Sequence, residues 1–384
     1  MKNVLTQFRQ MLNPGSSTIG IEMTDCSIKV VEITLTSKKR PYLNKCMIER
    51  LPRQTIDDGK IKDTALVADT LRDMLEKMNI RKRKVHMIVP SQLVMVRFLK
   101  LPDIPDKELR KVVEFEMKHS IHLPFEQPYY DFCKLTDSDH AGADKKARSS
   151  KKSSKAEHEK DSIFQEAAAG RHGGGADGTG LFEEFVSLQT EEMLQCDVML
   201  VAAPKEIVDE YRSVVESAGL SPSSIEIKAL SLFRVIEYFP IIDERETILL
   251  VDINDAATDL SIFHDKQLKI TRSVPLDFSA TDPSEYPDND DDFNQSCQQL
   301  THELERLMNF YRYTLNNRNQ EFKRVVISGD VSRLDAIIDS LRERLPLRIT
   351  PLHADMMGVH HSGSQDCFTN FAVPIGLALR GLTS

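Results

Sequence analysis

Three short stretches set carboxylates, hydroxyls and a lysine at the ends of apolar runs. The first is Gly20-Ile21-Glu22-Met23-Thr24-Asp25-Cys26-Ser27-Ile28-Lys29, and the second is Val251-Asp252-Ile253-Asn254-Asp255-Ala256-Ala257-Thr258. The third is Val326-Ile327-Ser328-Gly329-Asp330-Val331-Ser332. In the first two, a carboxylate (Glu22, Asp252) stands at a strand end, and a polar turn leads back into a second strand. Two facing hairpins of this kind can clasp a phosphate chain. Turn N–H groups bind the oxygens, and the carboxylates hold a hydrated Mg²⁺. Taken singly, each stretch also reads as an ordinary buried strand ending in a polar turn.

The surrounding pattern supplies elements to position these turns. Ser17–Met23, Cys26–Leu35 and Tyr42–Arg50 read as strands, and Asp63 opens a helix with Ala68, Leu71, Leu75 and Met78 on one face. Strands follow at 85–90 and 93–99. Pro105 and Asp106 then open a helix bearing Leu109, Val112, Val113 and Met117 on one side. A strand at 196–203 precedes a helix through Ile207, Tyr211 and Val214, and Gly219 suits its C-terminal cap. Residues 224–229 read as extended, with a helix to Tyr238. The run Glu246–Val251 is nearly all apolar, as a strand buried on both faces should be. Strands at 258–263 and 269–274, an acidic loop at 277–292, a helix along Cys297, Leu300, Leu304, Leu307 and Tyr311, a strand at 324–328 and a helix through Leu334–Leu341 complete the second half. Hairpin-like strands followed by helices thus occur twice, which is an internal repeat of pattern.

The bulk numbers narrow the function classes. A chain of 384 residues, 40% hydrophobic, has room for two or three domains. Its net charge of −9 argues against general nucleic-acid binding, which needs a basic surface. Six scattered cysteines without a CxxC pair fit reduced thiols. No apolar run approaches the roughly 20 residues that span a bilayer, and Met1–Asn13 lacks a secretory signal's apolar core. A cytoplasmic location is expected, with any membrane association indirect. Residues 137–180 are rich in Lys, Ser, Ala and Gly and read as a disordered insertion. His353, His360, His361 and Cys367 match no standard zinc spacing.

The joint order of these motifs resembles the PilM family of type IV pilus assembly proteins, within the actin-like, FtsA-related superfamily. The resemblance is carried by the three turns and by Leu101-Pro102-Asp103-Ile104-Pro105 through His122-Leu123-Pro124-Phe125 to Asp131. Val198–Lys205 and Asn370–Arg380 add to it. It implies an α/β, actin-like (ribonuclease-H-like) fold of two lobes with an inserted small α/β subdomain. The expected division is 1–84 for the first part of lobe one, 85–223 for the insertion, 224–245 for a crossing helix, 246–350 for lobe two and 351–384 for the return to lobe one. It further implies ATP at Glu22, Thr24, Ser27, Lys29, Asp252, Asn254, Thr258, Ser328, Gly329 and Ser332, with Mg²⁺ held through water by Glu22 and Asp252. A partner would be the cytoplasmic tail of a PilN-like inner-membrane protein, alongside other pilus assembly and motor proteins. Glu108, Lys111, Val112, Phe115, His119, Phe125 and Tyr130 are the expected wall of its groove.

The chain departs from the family at each turn. Family members carry Asp-x-Gly-Ser in the first; here Glu22 and Thr24 replace the Asp and the Gly. Asn254 and Asp255 replace small residues in the second, and Gly329 stands alone where two or three glycines are usual. The expectation is therefore a scaffold with weakened nucleotide binding rather than a conventional enzyme. Two other readings stay open. One is a phosphotransferase or ATPase of the same superfamily, which would need a general base and intact phosphate turns. The other is an FtsA-like division protein, which would end in a membrane-targeting helix instead of Arg380–Ser384.

Overall fold

Ile19, Ile21 and Met23 alternate with Gly20 and Glu22 along β1 (Ser17–Met23), so one face meets an apolar core and the other is free to carry charge. This strand belongs to a computed structural model that describes residues 17–36, 40–135, 194–238, 246–254, 257–276, 278, 290–315, 317, 320–352 and 369–383. The N-terminal segment Met1–Asn13, the insertion at 137–180, Asp255, most of the acidic loop and the His353–Cys367 group lie outside the described residues.

β1 pairs antiparallel with β2 (Ser27–Leu35), which pairs antiparallel with β3 (Pro41–Arg50). A two-stranded ribbon, β4 (Ile56–Asp57) and β5 (Lys60–Ile61), leads to α1 (Thr64–Lys77). The Asp63 side chain caps α1 by accepting the Leu66 N–H at 2.9 Å. β6 (Lys84–Ile88) then pairs parallel with β1. Further along come β7 (Met95–Pro102), α2 (Asp106–His119), β8 (Pro128–Leu135) and β9 (Gln195–Pro204). α3 (Lys205–Ser217) precedes β10 (Ser221–Glu226), which pairs parallel with β6. The first sheet therefore runs β3-β2-β1-β6-β10. Ile207, Tyr211, Val214 and Val215 of α3 share its core with Val67, Leu71 and Met74 of α1.

α4 (Lys228–Tyr238) crosses to the second half. There β11 (Thr247–Ile253), β12 (Thr258–His264) and β13 (Gln267–Val274) form an antiparallel run. α5 (Asp290–Asn309) continues into a π-helical turn at Phe310–Thr314, and β14 (Phe322–Gly329) follows. After α6 (Leu334–Arg344) comes β15 (Arg348–Pro351), and the sheet runs β13-β12-β11-β14-β15. The two sheets have the same order and the same strand directions. Within this match β11 corresponds to β1, so Asp252 opposite Asp259 answers Glu22 opposite Lys29. The duplication read from hydrophobic pattern is thus a duplication of topology.

α7 (Ala372–Thr383) returns to the first sheet and lies on β1, β2 and β6 as well as α4. Its backbone comes so close to β1 that a Cβ on Gly20 would stand 1.9 Å from the Pro374 carbonyl oxygen. α4 also touches β11 and β13, and Phe233 stacks on Phe263 with ring centroids 4.1 Å apart.

The structure redraws three sequence boundaries. The inserted subdomain was expected over 85–223, yet β6, α3 and β10 build the first sheet and its core, because their apolar faces find cover there. The separate unit is Arg97–Pro124 with Phe132–Leu200. It holds α2 and the outer parts of the sheet ordered β7-β9-β8. Lys228 and Ala229 open α4 instead of being extended, and Asp290–Asp292 start α5 instead of ending a loop.

Candidate functional site

The first two turns close the matching β1-β2 and β11-β12 hairpins of the two sheets. Glu22 lies opposite Lys29 across β1 and β2; Asp252 lies opposite Asp259 across β11 and β12, and beside Ser328 of β14. The side chains meet in one buried cluster. Lys29 Nζ lies 3.1 Å from Glu22 Oε2 and 3.0 Å from Asp330 Oδ2. Lys228 Nζ lies 2.9 Å from both Asp252 Oδ2 and Asp259 Oδ2, and 3.4 Å from Glu22 Oε1. Hydroxyls and an amide add hydrogen bonds to Asp252 and Asp330. Ser328 Oγ donates to Asp252 Oδ1 at 2.6 Å, Asn254 Nδ2 to Asp252 Oδ2 at 2.9 Å, and Ser27 Oγ to Asp330 Oδ2 at 3.1 Å. Arg50 donates to the Asp330 backbone oxygen at 3.2 Å. Glu22 and Lys29 come from the first sheet, Asp252, Asp259, Ser328 and Asp330 from the second half, and Lys228 from the helix between them.

Burial sets the electrostatics. Burial raises the Glu22 carboxyl above its ordinary value despite Lys29 and Lys228. It works the same way on Asp252, but Lys228, Lys29 and the Ser328 hydroxyl outweigh it and hold that group down to about 2. For Lys29 burial alone would lower the value; Asp330 and Glu22 together hold it above the ordinary one. Lys228 is likewise pushed up, by Asp259, Asp252 and Glu22 against burial.

These shifts fix a pH dependence. A depressed carboxyl stabilises the fold above its ordinary value and loses that contribution as pH falls through the folded one. For Asp252 the window runs from 3.8 down to about 2. The difference is on the order of 2 kcal/mol. Glu22, shifted the other way, favours the fold as it takes up its proton, and the two lysines lose their share only on the alkaline side. Asp252→Asn is therefore expected to lower stability at neutral pH and to flatten the acid limb between roughly pH 4 and pH 2. Urea midpoints measured at stepped pH check this; an acid limb as steep as the wild type's would refute it.

The expected nucleotide residues separate into three groups. Glu22, Ser27, Lys29, Asp252, Asn254 and Ser328 are brought together in the cluster. Thr24, Thr258 and Gly329 sit at its edge. Thr24 Oγ1 accepts the Ser27 N–H at 3.1 Å, Thr258 is fully buried, and Gly329 passes so close to β11 that a Cβ would stand 2.1 Å from the Ile253 oxygen. Ser332 is exposed in the turn after Asp330. Three members escaped the sequence reading: Lys228, Asp259 and Asp330. One signal was available for the first. Lys228 opens a mainly apolar helix, and a cation at a helix N-terminus opposes the macrodipole unless carboxylates surround it.

A bound ATP with Mg²⁺ does not fit these residues as they stand. Both Asp252 oxygens and Glu22 are already engaged by Lys228, Lys29, Ser328 or Asn254. Among the described residues four carboxylates face two ammonium groups, so an incoming phosphate meets repulsion of about 4 kcal/mol per close like-charge pair at an effective dielectric near 20. The cavity beside Lys228, lined by Met23, Thr24, Asp25, Asn254 and Asp259 among others, measures about 40 Å³. Pockets for nucleotide-sized ligands span roughly 300–1,000 Å³.

In the second unit, α2 buries only Leu109 and Val113. Its acidic first turn (Asp106, Glu108) and basic last turn (Lys118, His119) complement the helix dipole. Among the expected partner residues, Glu108, Lys111 and His119 are exposed on α2, while Val112 and Phe115 are half-buried. The Phe115 and His119 rings lie 4.4 Å apart. Phe125 and Tyr130 belong to the other unit, through the segment Phe125–Asp131.

The comparisons bear on this geometry. A family model described as type IV pilus assembly protein PilM matches residues 20–157 and 182–276, more than half the chain. No curated protein sequence matches. Among solved structures, a PilM-PilN type IV pilus biogenesis complex is similar at 20% identity and a TM-score of 0.72, covering 96% of this chain and 99% of that one. The ethanolamine utilization protein EutJ from Carboxydothermus hydrogenoformans is similar at 10% identity and a TM-score of 0.50, with 97% and 93% covered. The fold is actin-like, with two sheet-bearing lobes.

Proposed function

The chain belongs to the type IV pilus assembly protein PilM family, and on that premise we propose that it is a cytoplasmic scaffold that binds the cytoplasmic tail of a PilN-like inner-membrane protein. Held at the inner membrane face by that partner, it links the membrane platform to the other assembly and motor proteins. The observation that carries this reading is the agreement of fold with a PilM-PilN complex over nearly the whole of both chains. No helix among the described residues is long and apolar enough to cross a membrane, which suits attachment through a partner.

α2 supplies the contact surface in this reading. Its two buried residues anchor it, and Val112 and Phe115 remain partly accessible for an extended peptide, flanked by the charges of Glu108, Lys111 and His119. The test is calorimetry with a synthetic tail peptide, with and without Mg-ATP. Binding is expected, and Val112→Asp with Phe115→Ala is expected to weaken it about tenfold or more, near 1.4 kcal/mol. Absence of binding under both conditions would remove the reading. A phosphotransferase reading would need a carboxylate free to take a proton from a substrate hydroxyl. Asp252 has both oxygens hydrogen-bonded and its acidity increased, which favours the scaffold.

A further inference from the structure

The interlobe cluster carries its own cation. We infer that Lys228 is a built-in counter-ion that latches the two lobes, standing where a nucleotide-bound metal would have to stand, so that the cleft is closed without nucleotide. The inference rests on contacts in the cleft alone and does not depend on the partner assigned above.

Glu22 and Asp252 are the two carboxylates that would hold Mg²⁺, one from each lobe. The Lys228 ammonium touches an oxygen of each, at 3.4 and 2.9 Å, and adds Asp259 at 2.9 Å. A hydrated Mg²⁺ needs near-octahedral oxygen ligands at about 2.0–2.1 Å with waters around it. A 5%-exposed lysine contacting the same oxygens leaves no place for that shell. The groups that would grip phosphate are used in the same manner. Lys29 spans the lobes from Glu22 to Asp330, the Ser27 hydroxyl donates to Asp330, and the Ser328 hydroxyl donates to Asp252. Among the described residues, Asn254 Oδ1, Asp259 Oδ1 and Asp330 Oδ1 are buried acceptors that meet no hydrogen-bond donor. Such a site attracts cations and repels anions. The replacements at the turns are therefore the parts of a different device. Asp330, where a glycine is usual, is the second anchor of Lys29.

Two measurements decide the matter on the full chain. In calorimetry and thermal melts, wild-type protein is expected to show no heat and no shift with Mg-ATP or Mg-ADP up to about 1 mM. Binding below about 100 µM would overturn the latch. Lys228→Ala should melt lower and acquire a response the wild type lacks. Its freed carboxylates would take a divalent ion, so Mg²⁺ or Mn²⁺ alone at about 10 mM is expected to raise the variant's melting temperature and leave the wild type's unchanged. If Lys228→Ala fails to fold, Lys228→Met with Asp252→Asn and Asp259→Asn is the control. Recovery of a cooperative melt in that neutral variant supports the latch, because the loss then came from unopposed charge. A Lys228→Ala protein as stable as wild type and indifferent to Mg²⁺ and Mn²⁺ would refute it.

Discussion

Lys29→Met is expected to destabilise the folded chain by about 3–5 kcal/mol, enough to remove a large part of an ordinary domain's margin. Methionine matches the lysine's length and is content in an apolar setting, so the loss is one of charge and not of volume. Removing the ammonium takes a cation from Glu22 Oε2 and Asp330 Oδ2, which lie 3.1 and 3.0 Å from it in a site closed to solvent. Among the described residues it leaves Asp330 Oδ2 only the Ser27 hydroxyl and Glu22 only the longer contact to Lys228. A carboxylate without its partner there must either stay charged in a low-dielectric surrounding or take up a proton. Both cost the fold. Chemical denaturation reads the loss directly. The triple variant Lys29→Met, Glu22→Gln, Asp330→Asn should recover much of it, since a buried pair replaced by neutral groups of like volume is often as stable as the pair. A single variant within about 1 kcal/mol of wild type would show that these contacts are not made in solution.

Gly20→Ala is the second large effect, and its origin is steric. The added methyl would sit 1.9 Å from Pro374 O, 2.8 Å from Pro374 C and 2.9 Å from Ala378 N. All three are backbone atoms of α7, so no side-chain rotation relieves them. Overpacking ordinarily costs 1–3 kcal/mol. With a helix backbone as the obstacle, the expected loss is about 3 kcal/mol or more, accompanied by displacement of α7 from β1. Limited proteolysis near the C-terminus together with the denaturation midpoint checks this. An unchanged midpoint would mean that α7 does not pack against β1.

The framework was legible in the sequence because hydrophobic periodicity reports it directly. Glu246–Val251 reads as a strand covered on both faces, and the strand observed, Thr247–Ile253, is buried throughout. The repeated hairpin-then-helix pattern becomes two sheets of identical order. The insertion was drawn too wide, since Val85, Met87 and Ile207 look the same in one-dimensional pattern whichever core they enter. The cluster was half legible. Glu22 and Asp252 could be placed at strand ends, and motif order suggested that they face each other. Lys228 could not be found in that way. Its three partners lie in β1, β11 and β12, and only the crossing of α4 brings them together. Asp330 was visible as a departure from glycine, but its meaning depended on Lys29, about three hundred residues away in the chain.

The equal strand order of the two sheets has a consequence for how the halves recognise each other. At the matched register position one half presents Lys29 and the other Asp259. Lys29 finds a counter-charge in the other half at Asp330, and Asp259 finds its own at Lys228 on the crossing helix, so the charge difference at this matched position is spent on joining unlike halves within one chain.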